Sequence, residues 1–155
     1  MAFGIITIVH AILAVFVIIE LGLMADVVDS TTGFWGTNTP SSYAFMLFNS
    51  VWSLLILVYL AVTPLFLAKF YHNLAALAIL VITTIFWFAG SIAMAANFGA
   101  PDCHGFSVCQ TAQAAIAFGF FIWAIFTGLT VLEGLSASRG GSANADKTAP
   151  TASTV

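Results

Sequence analysis

Four apolar stretches, each long enough to cross a lipid bilayer, constrain this chain more than any other feature. They run over about residues 3–25, 43–67, 74–96 and 112–135. A membrane helix needs roughly 20 apolar residues, and every stretch meets that length. In lipid, backbone polar groups must be satisfied inside the segment or in a closed barrel, so all four stretches read as helices. The expected fold is all-α, a polytopic membrane protein with an antiparallel four-helix transmembrane bundle over residues 1–135. Composition agrees: 61% of the 155 residues are hydrophobic and 6% are charged. A soluble domain carries about 25% charged residues. Three basic and six acidic side chains cannot coat a water-soluble globule. The net charge of −3, with no basic cluster, excludes nucleic acid as a partner.

The connections are polar and short. Residues 26–42 are rich in Gly, Thr, Ser and Asp, with Pro40 before the second stretch. Only residues 68–73 join the second and third stretches, which makes those helices antiparallel neighbours. Residues 97–111 carry both cysteines, and residues 136–155 are small, polar and unpatterned, a disordered tail by composition. The first stretch lacks a basic leader and is longer than a signal-peptide core, so it reads as a span.

Lysine and arginine occur only at Lys69, Arg139 and Lys147. With four spans these fall on one side of the membrane, whereas Asp26, Asp29 and Asp102 fall on the other. The positive-inside rule puts both termini and the Lys69 connection in the cytosol. Cys103 and Cys109 then share an outer loop, where oxidising conditions favour a disulfide. A metal site built from Asp102, Cys103, His104 and Cys109 is the rival, but its spacing is less regular than that of closed zinc sites. No metal and no cofactor is expected.

An ionisable side chain inside a span is costly and marks a functional hypothesis. Glu20 lies about five residues inside the outer end of span one, roughly 8 Å. Asn49, Ser50 and Ser53 of span two and Ser91 of span three are expected at similar depth. Two readings follow: a carboxyl bonded across helices as packing glue, or a proton-coupled or cation site. His10 and Glu133 lie in the cytosolic halves of spans one and four, at comparable depth. His72 and His104 lie in connections, so the opposed intramembrane histidines that haem needs are missing.

Small residues recur at four-residue spacing: Ala89 and Ala93, Ala115 and Gly119, Ala124 and Gly128. Such pairs let helices approach closely, within the bundle first and between copies second. Trp35, Tyr43 and Tyr71 suit the membrane interface, while Trp52, Trp87 and Trp123 fall deeper. Lys69 to Leu74 matches an inverted cholesterol-contact pattern, and Ser153-Thr154-Val155 matches a short C-terminal carboxylate ligand, both weak signals. No Walker loop, HExxH or GxSxG occurs. No enzyme activity is expected.

The layout resembles the MARVEL family: four spans, cytosolic ends, short connections and a cysteine pair in the second outer loop. The closest segment runs from Cys109 through Ala112-Gln113-Ala114-Ala115-Ile116-Ala117-Phe118 to Phe121. It is similar to fungal MARVEL proteins associated with eisosomes and non-classical export, where a Cys shortly precedes an Ala-Gln-Ala-Ala-x-Ala-Phe run. Tetraspanins and claudins fit less well. The Cys-Cys-Gly motif of the first is absent, and the first outer loop here, with Gly33-Phe34-Trp35, has no cysteine. The resemblance implies a non-enzymatic, membrane-organising protein of the plasma membrane. It implies association with sphingolipid- or sterol-rich microdomains, a part in membrane traffic, and lateral association or homo-oligomers. A small proton-coupled transporter or channel using Glu20 is the alternative.

Overall fold

The structure, a computed structural model, describes residues 2–35, 40–66, 73–99 and 101–147. It contains four helices: α1 (Ala2–Trp35), α2 (Ser41–Phe66), α3 (Asn73–Phe98) and α4 (Ser107–Lys147). No strand occurs among the described residues. Each helix holds a stretch long and apolar enough to cross a membrane: Thr7–Thr32, Ser41–Val62, Leu74–Phe98 and Ser107–Ser138. Lys69, Tyr71, His72 and Ser153 to Val155 lie outside the described residues, as do the side chains of Trp35, Arg139 and Lys147.

Two helices outrun the apolar stretches that seed them. α1 continues past residue 25 through the Thr- and Asp-rich segment expected to be a connection. There Thr31 and Thr32 donate their hydroxyls to the Val27 and Val28 carbonyls at 2.9 and 3.0 Å. α4 starts at Ser107, before residue 112, and continues beyond residue 135 to Lys147, although its last part was expected to be unpatterned. Ser136 and Ser138 donate to the Leu132 and Leu135 carbonyls in the same fashion. Extending a helix that already exists costs no new nucleus, so polar residues with modest helix propensity can follow an apolar span.

Side-chain pairings between helices set the topology. Ser42 of α2 meets Asn97 of α3 while Ser53 meets Trp87, so numbering falls along one helix as it rises along the other. Thr84 meets Thr130 and Phe88 meets Trp123, which makes α3 and α4 antiparallel as well. Among the described residues each helix packs on two neighbours, in the ring α1–α2–α3–α4 and back to α1.

The interior is built from stripes with alternating three- and four-residue spacing. On α1 these are Leu13, Val17, Glu20, Met24 and Val27; on α4 they include Ala115, Gly119, Ile122, Phe126 and Leu129. That spacing is the seam of a left-handed bundle. The opposite faces expose Ile12, Ile18, Leu55, Ile85 and Phe121, as lipid contact requires. Lipid is as apolar as leucine, so close packing and interhelical hydrogen bonds hold such helices together.

A stapled turn closes the end between α3 and α4. Gly99, at φ 69°, ends α3 and returns its N–H to the Ala95 carbonyl at 2.8 Å. Cys103 and Cys109 form a disulfide with their Cα atoms 5.5 Å apart. Between them the chain turns through His104 at φ 40° and Gly105 at φ 87°, a left-handed stretch that glycine adopts freely. The Phe106 N–H closes the turn on the Cys103 carbonyl at 2.8 Å. Gln113 of α4 reaches back to the Pro101 carbonyl at 2.9 Å, fastening the loop to the helix that follows it.

Candidate functional site

Polar side chains inside the bundle divide into two groups. The first group is fully paired and lies toward the end where α2 leads to α3. Trp87 is completely buried, and its indole N–H donates to Ser53 at 2.8 Å. One turn earlier on α3, Thr83 accepts the Trp52 indole N–H at 3.1 Å and donates to the Ile79 carbonyl at 2.8 Å. Thr84 shares a 3.0 Å hydrogen bond with Thr130 of α4. Ser50 satisfies itself on the Met46 carbonyl of its own helix at 3.0 Å. Three helices are thus tied together by side-chain bonds inside the bundle.

The second group lies one turn further along α3 and is unpaired. Glu20, Asn49 and Ser91 are each 0% exposed. Both carboxyl oxygens of Glu20, both polar atoms of the Asn49 amide and the Ser91 hydroxyl have no hydrogen-bond partner among the described residues. Buried polar atoms in native proteins are bonded in the great majority of cases, so each exception calls for an explanation. Here three exceptions come from three different helices of one bundle.

The fourth helix approaches closely at this point. A Cβ at Gly119 of α4 would sit 2.6 Å from the Ser91 hydroxyl and 3.1 Å from the Met46 methyl carbon. At Gly90 of α3 a Cβ would sit 2.6 Å from the Met46 sulfur. Glycine at both positions lets α2, α3 and α4 close around Met46, whose unbranched thioether fills the gap. Phe16 and Phe118 pack edge to face with centroids 5.5 Å apart, bringing α1 against α4 beside the same point.

The residues singled out from sequence therefore separate. Glu20, Asn49, Ser50, Ser53 and Ser91 are all buried, but Ser50 and Ser53 have partners and the other three have none among the described residues. His10 and Glu133 are half-buried, in the first third of α1 and the later half of α4. Of the small-residue pairs, Ala115 and Gly119 face the interior and allow the close approach. Ala124 and Gly128 lie on the exposed face of α4, and a Cβ at Gly128 would meet nothing within 4 Å. Ala89 is exposed and Ala93 half-buried; both line an open groove with Ser41, Ser42, Phe45 and Asn97, where α2 begins and α3 ends.

Sequence reasoning missed Met46, Gly90, Thr83, Thr84 and Thr130. Their signal was spacing: Thr83, Trp87 and Ser91 recur every four residues on α3, marking one face by polarity where hydrophobicity could not. Among the described residues no group of three His, Cys, Asp or Glu side chains is placed to hold a metal ion. A cation here would instead have to use the carboxyl, amide and hydroxyl oxygens of the unpaired trio.

A family model described as MARVEL, membrane-associating domain, matches residues 3–132, from the first span into the fourth. No curated protein matches the chain, and no solved structure does.

Proposed function

The chain belongs to the MARVEL family of membrane-associating domains, and from that membership we propose that it organises membrane rather than catalysing a reaction. It is a multi-pass membrane protein. In our reading it resides in the plasma membrane with both termini in the cytosol, as the positions of Lys69, Arg139 and Lys147 favour. It sorts into sphingolipid- or sterol-rich microdomains and serves membrane traffic there, as the fungal eisosome-associated branch would. Copies associate laterally through the exposed Ala124–Gly128 face of α4, where two small residues one turn apart permit close helix approach.

The observation that carries this reading is the family match over residues 3–132. The outward faces support it, since Ile12, Leu55, Ile85 and Phe121 offer apolar surface to lipid on every helix. The test is steady-state localisation of a tagged protein before and after sphingolipid depletion. Patches at the cell surface that disperse on depletion are expected. Uniform staining that ignores depletion would defeat the proposal. A reporter fused after Val155 tests the orientation, and a lumenal signal would reverse it.

One observation favours a second reading. Glu20 is buried and unpaired inside the bundle, as a carboxyl that takes up and gives back a proton or cation would be. Under that reading the reconstituted protein moves a cation against a pH gradient, and Glu20→Gln abolishes the flux.

A further inference from the structure

Glu20, Asn49 and Ser91 sit close to one level of the bundle, as contacts of Ser91 and of neighbours of the other two on their helices indicate. Ser91 lies against Gly119, and Met46 touches the same point. The residue before Gly119, Phe118, packs on Phe16 of α1. Glu20 is one helical turn past Phe16, about 6 Å along the axis. Helical side chains lean toward the N-terminus of their own helix, so the Glu20 carboxyl leans back toward the Phe16 level. Asn49 is three residues past Met46 on an antiparallel helix and leans back toward Met46. The three side chains thus reach toward one level of the bundle interior from three helices, all fully buried.

The chemistry of this set is specific. It offers two carboxylate oxygens, one amide oxygen and one hydroxyl oxygen, all without partners. Oxygen donors of this kind suit hard cations. No Lys or Arg occurs anywhere in α1, α2 or α3. The first on α4, Arg139, is 20 residues beyond Gly119, or about 30 Å along a helix. A charged carboxylate at this site has no cationic side chain near it, and an unpaired buried charge is prohibitively costly. One monovalent cation would cancel it, whereas a divalent ion would leave a net positive charge buried.

We propose that Glu20, Asn49 and Ser91 form an interior binding site for a hard monovalent alkali cation, with sodium as the probe, which ties α1, α2 and α3 together. This goes beyond lipid sorting and requires binding without transport, so it stands or falls independently of the localisation experiment.

The test uses the full-length protein in lipid nanodiscs, unfolded by heat in sodium chloride and in choline chloride at equal ionic strength. Matching ionic strength removes general screening as a cause. A ligand present at about a hundred times its dissociation constant should raise the unfolding temperature by about 5 °C in a chain of this size. The wild type should show this rise, saturating with sodium, at neutral and alkaline pH. Glu20→Gln and Ser91→Ala should flatten it. Radioactive sodium should bind the wild type at one ion per chain, a reading that needs no variant to fold. Equal unfolding temperatures in both salts at both pH values would overturn the site and leave a proton as the carboxyl's only occupant. A full sodium response retained by Glu20→Gln would overturn it too.

Discussion

Along two turns of α3 the bundle interior changes character. At Thr83, Thr84 and Trp87 every side-chain polar group has a partner on another helix or on its own backbone. At Ser91, one turn on, the hydroxyl has none among the described residues, and Glu20 and Asn49 share that condition. Both regions lie inside the bundle and carry polar side chains. The difference is stereochemical: indole N–H groups are long enough to span between helices, as Trp87 reaches Ser53 and Trp52 reaches Thr83. Around Ser91 the interior instead has Met46, Gly90 and Gly119, which bring backbones together and supply no side-chain donor. The first region binds helix to helix, and the second keeps polar atoms available. A membrane bundle that needed only packing would have no use for the second region, since an apolar side chain of similar size costs less there.

The largest expected effect comes from the paired region. Trp87→Ala removes a fully buried ring together with the donor to Ser53. Large-to-small changes of that kind cost about 3–5 kcal/mol. Trp87→Phe keeps most of the bulk and loses the bond, and should cost about 0.6 kcal/mol, the average for interhelical hydrogen bonds in a membrane protein. Denaturant titration in detergent measures both. If Trp87→Phe proves neutral, the indole bond holds nothing and the contrast between the regions reduces to ring volume.

Next in size is the close approach beside the unpaired region. Gly119→Val would place carbon 2.6 Å from the Ser91 hydroxyl, and overpacking of this kind costs about 1–3 kcal/mol. Gly128 on the same helix has nothing within 4 Å of its Cβ position. Gly128→Val should therefore stay within about 0.5 kcal/mol of wild type in single-copy nanodiscs, as changes away from packed features do. Equal costs at both positions would show that helix propensity, not proximity to Ser91, sets the penalty.

Much of this architecture was legible in the sequence. Four apolar runs announce four helices, because lipid permits no other open-ended spanning element. The cysteine pair announced the staple, since Cys103 and Cys109 are the only two and share one short connection. Helix ends were less legible. Polar residues such as Thr31, Thr32, Ser136 and Ser138 read as connection or tail, yet their hydroxyls fold back onto the preceding turn and the helix continues. The interior face was hardest, because lipid-facing Ile18 and Ile85 are as apolar as buried Leu13 and Leu80. Only polarity and size betray that face, through Glu20, Asn49, Ser53, Ser91 and Gly119. Which of these would be bonded depends on how far Trp52 and Trp87 reach across, which is a matter of three-dimensional register.

The smallest expected effect is the most direct probe of the comparison, because the two regions predict opposite signs for similar changes. Thr130→Val removes one side of the Thr84–Thr130 bond and should cost about 0.6 kcal/mol. Ser91→Ala removes a hydroxyl that has no partner to lose. An unsatisfied buried polar group carries a desolvation penalty, so deleting it should stabilise the bundle, by up to about 1 kcal/mol. The measurement belongs in sodium-free medium, where no cation competes for the oxygen. Thermal unfolding of the two variants beside wild type, in one detergent, then reads the sign directly. A loss of stability in Ser91→Ala under those conditions would mean that the hydroxyl is bonded after all, and the division of the interior into a paired and an unpaired region would fail at its nearest boundary.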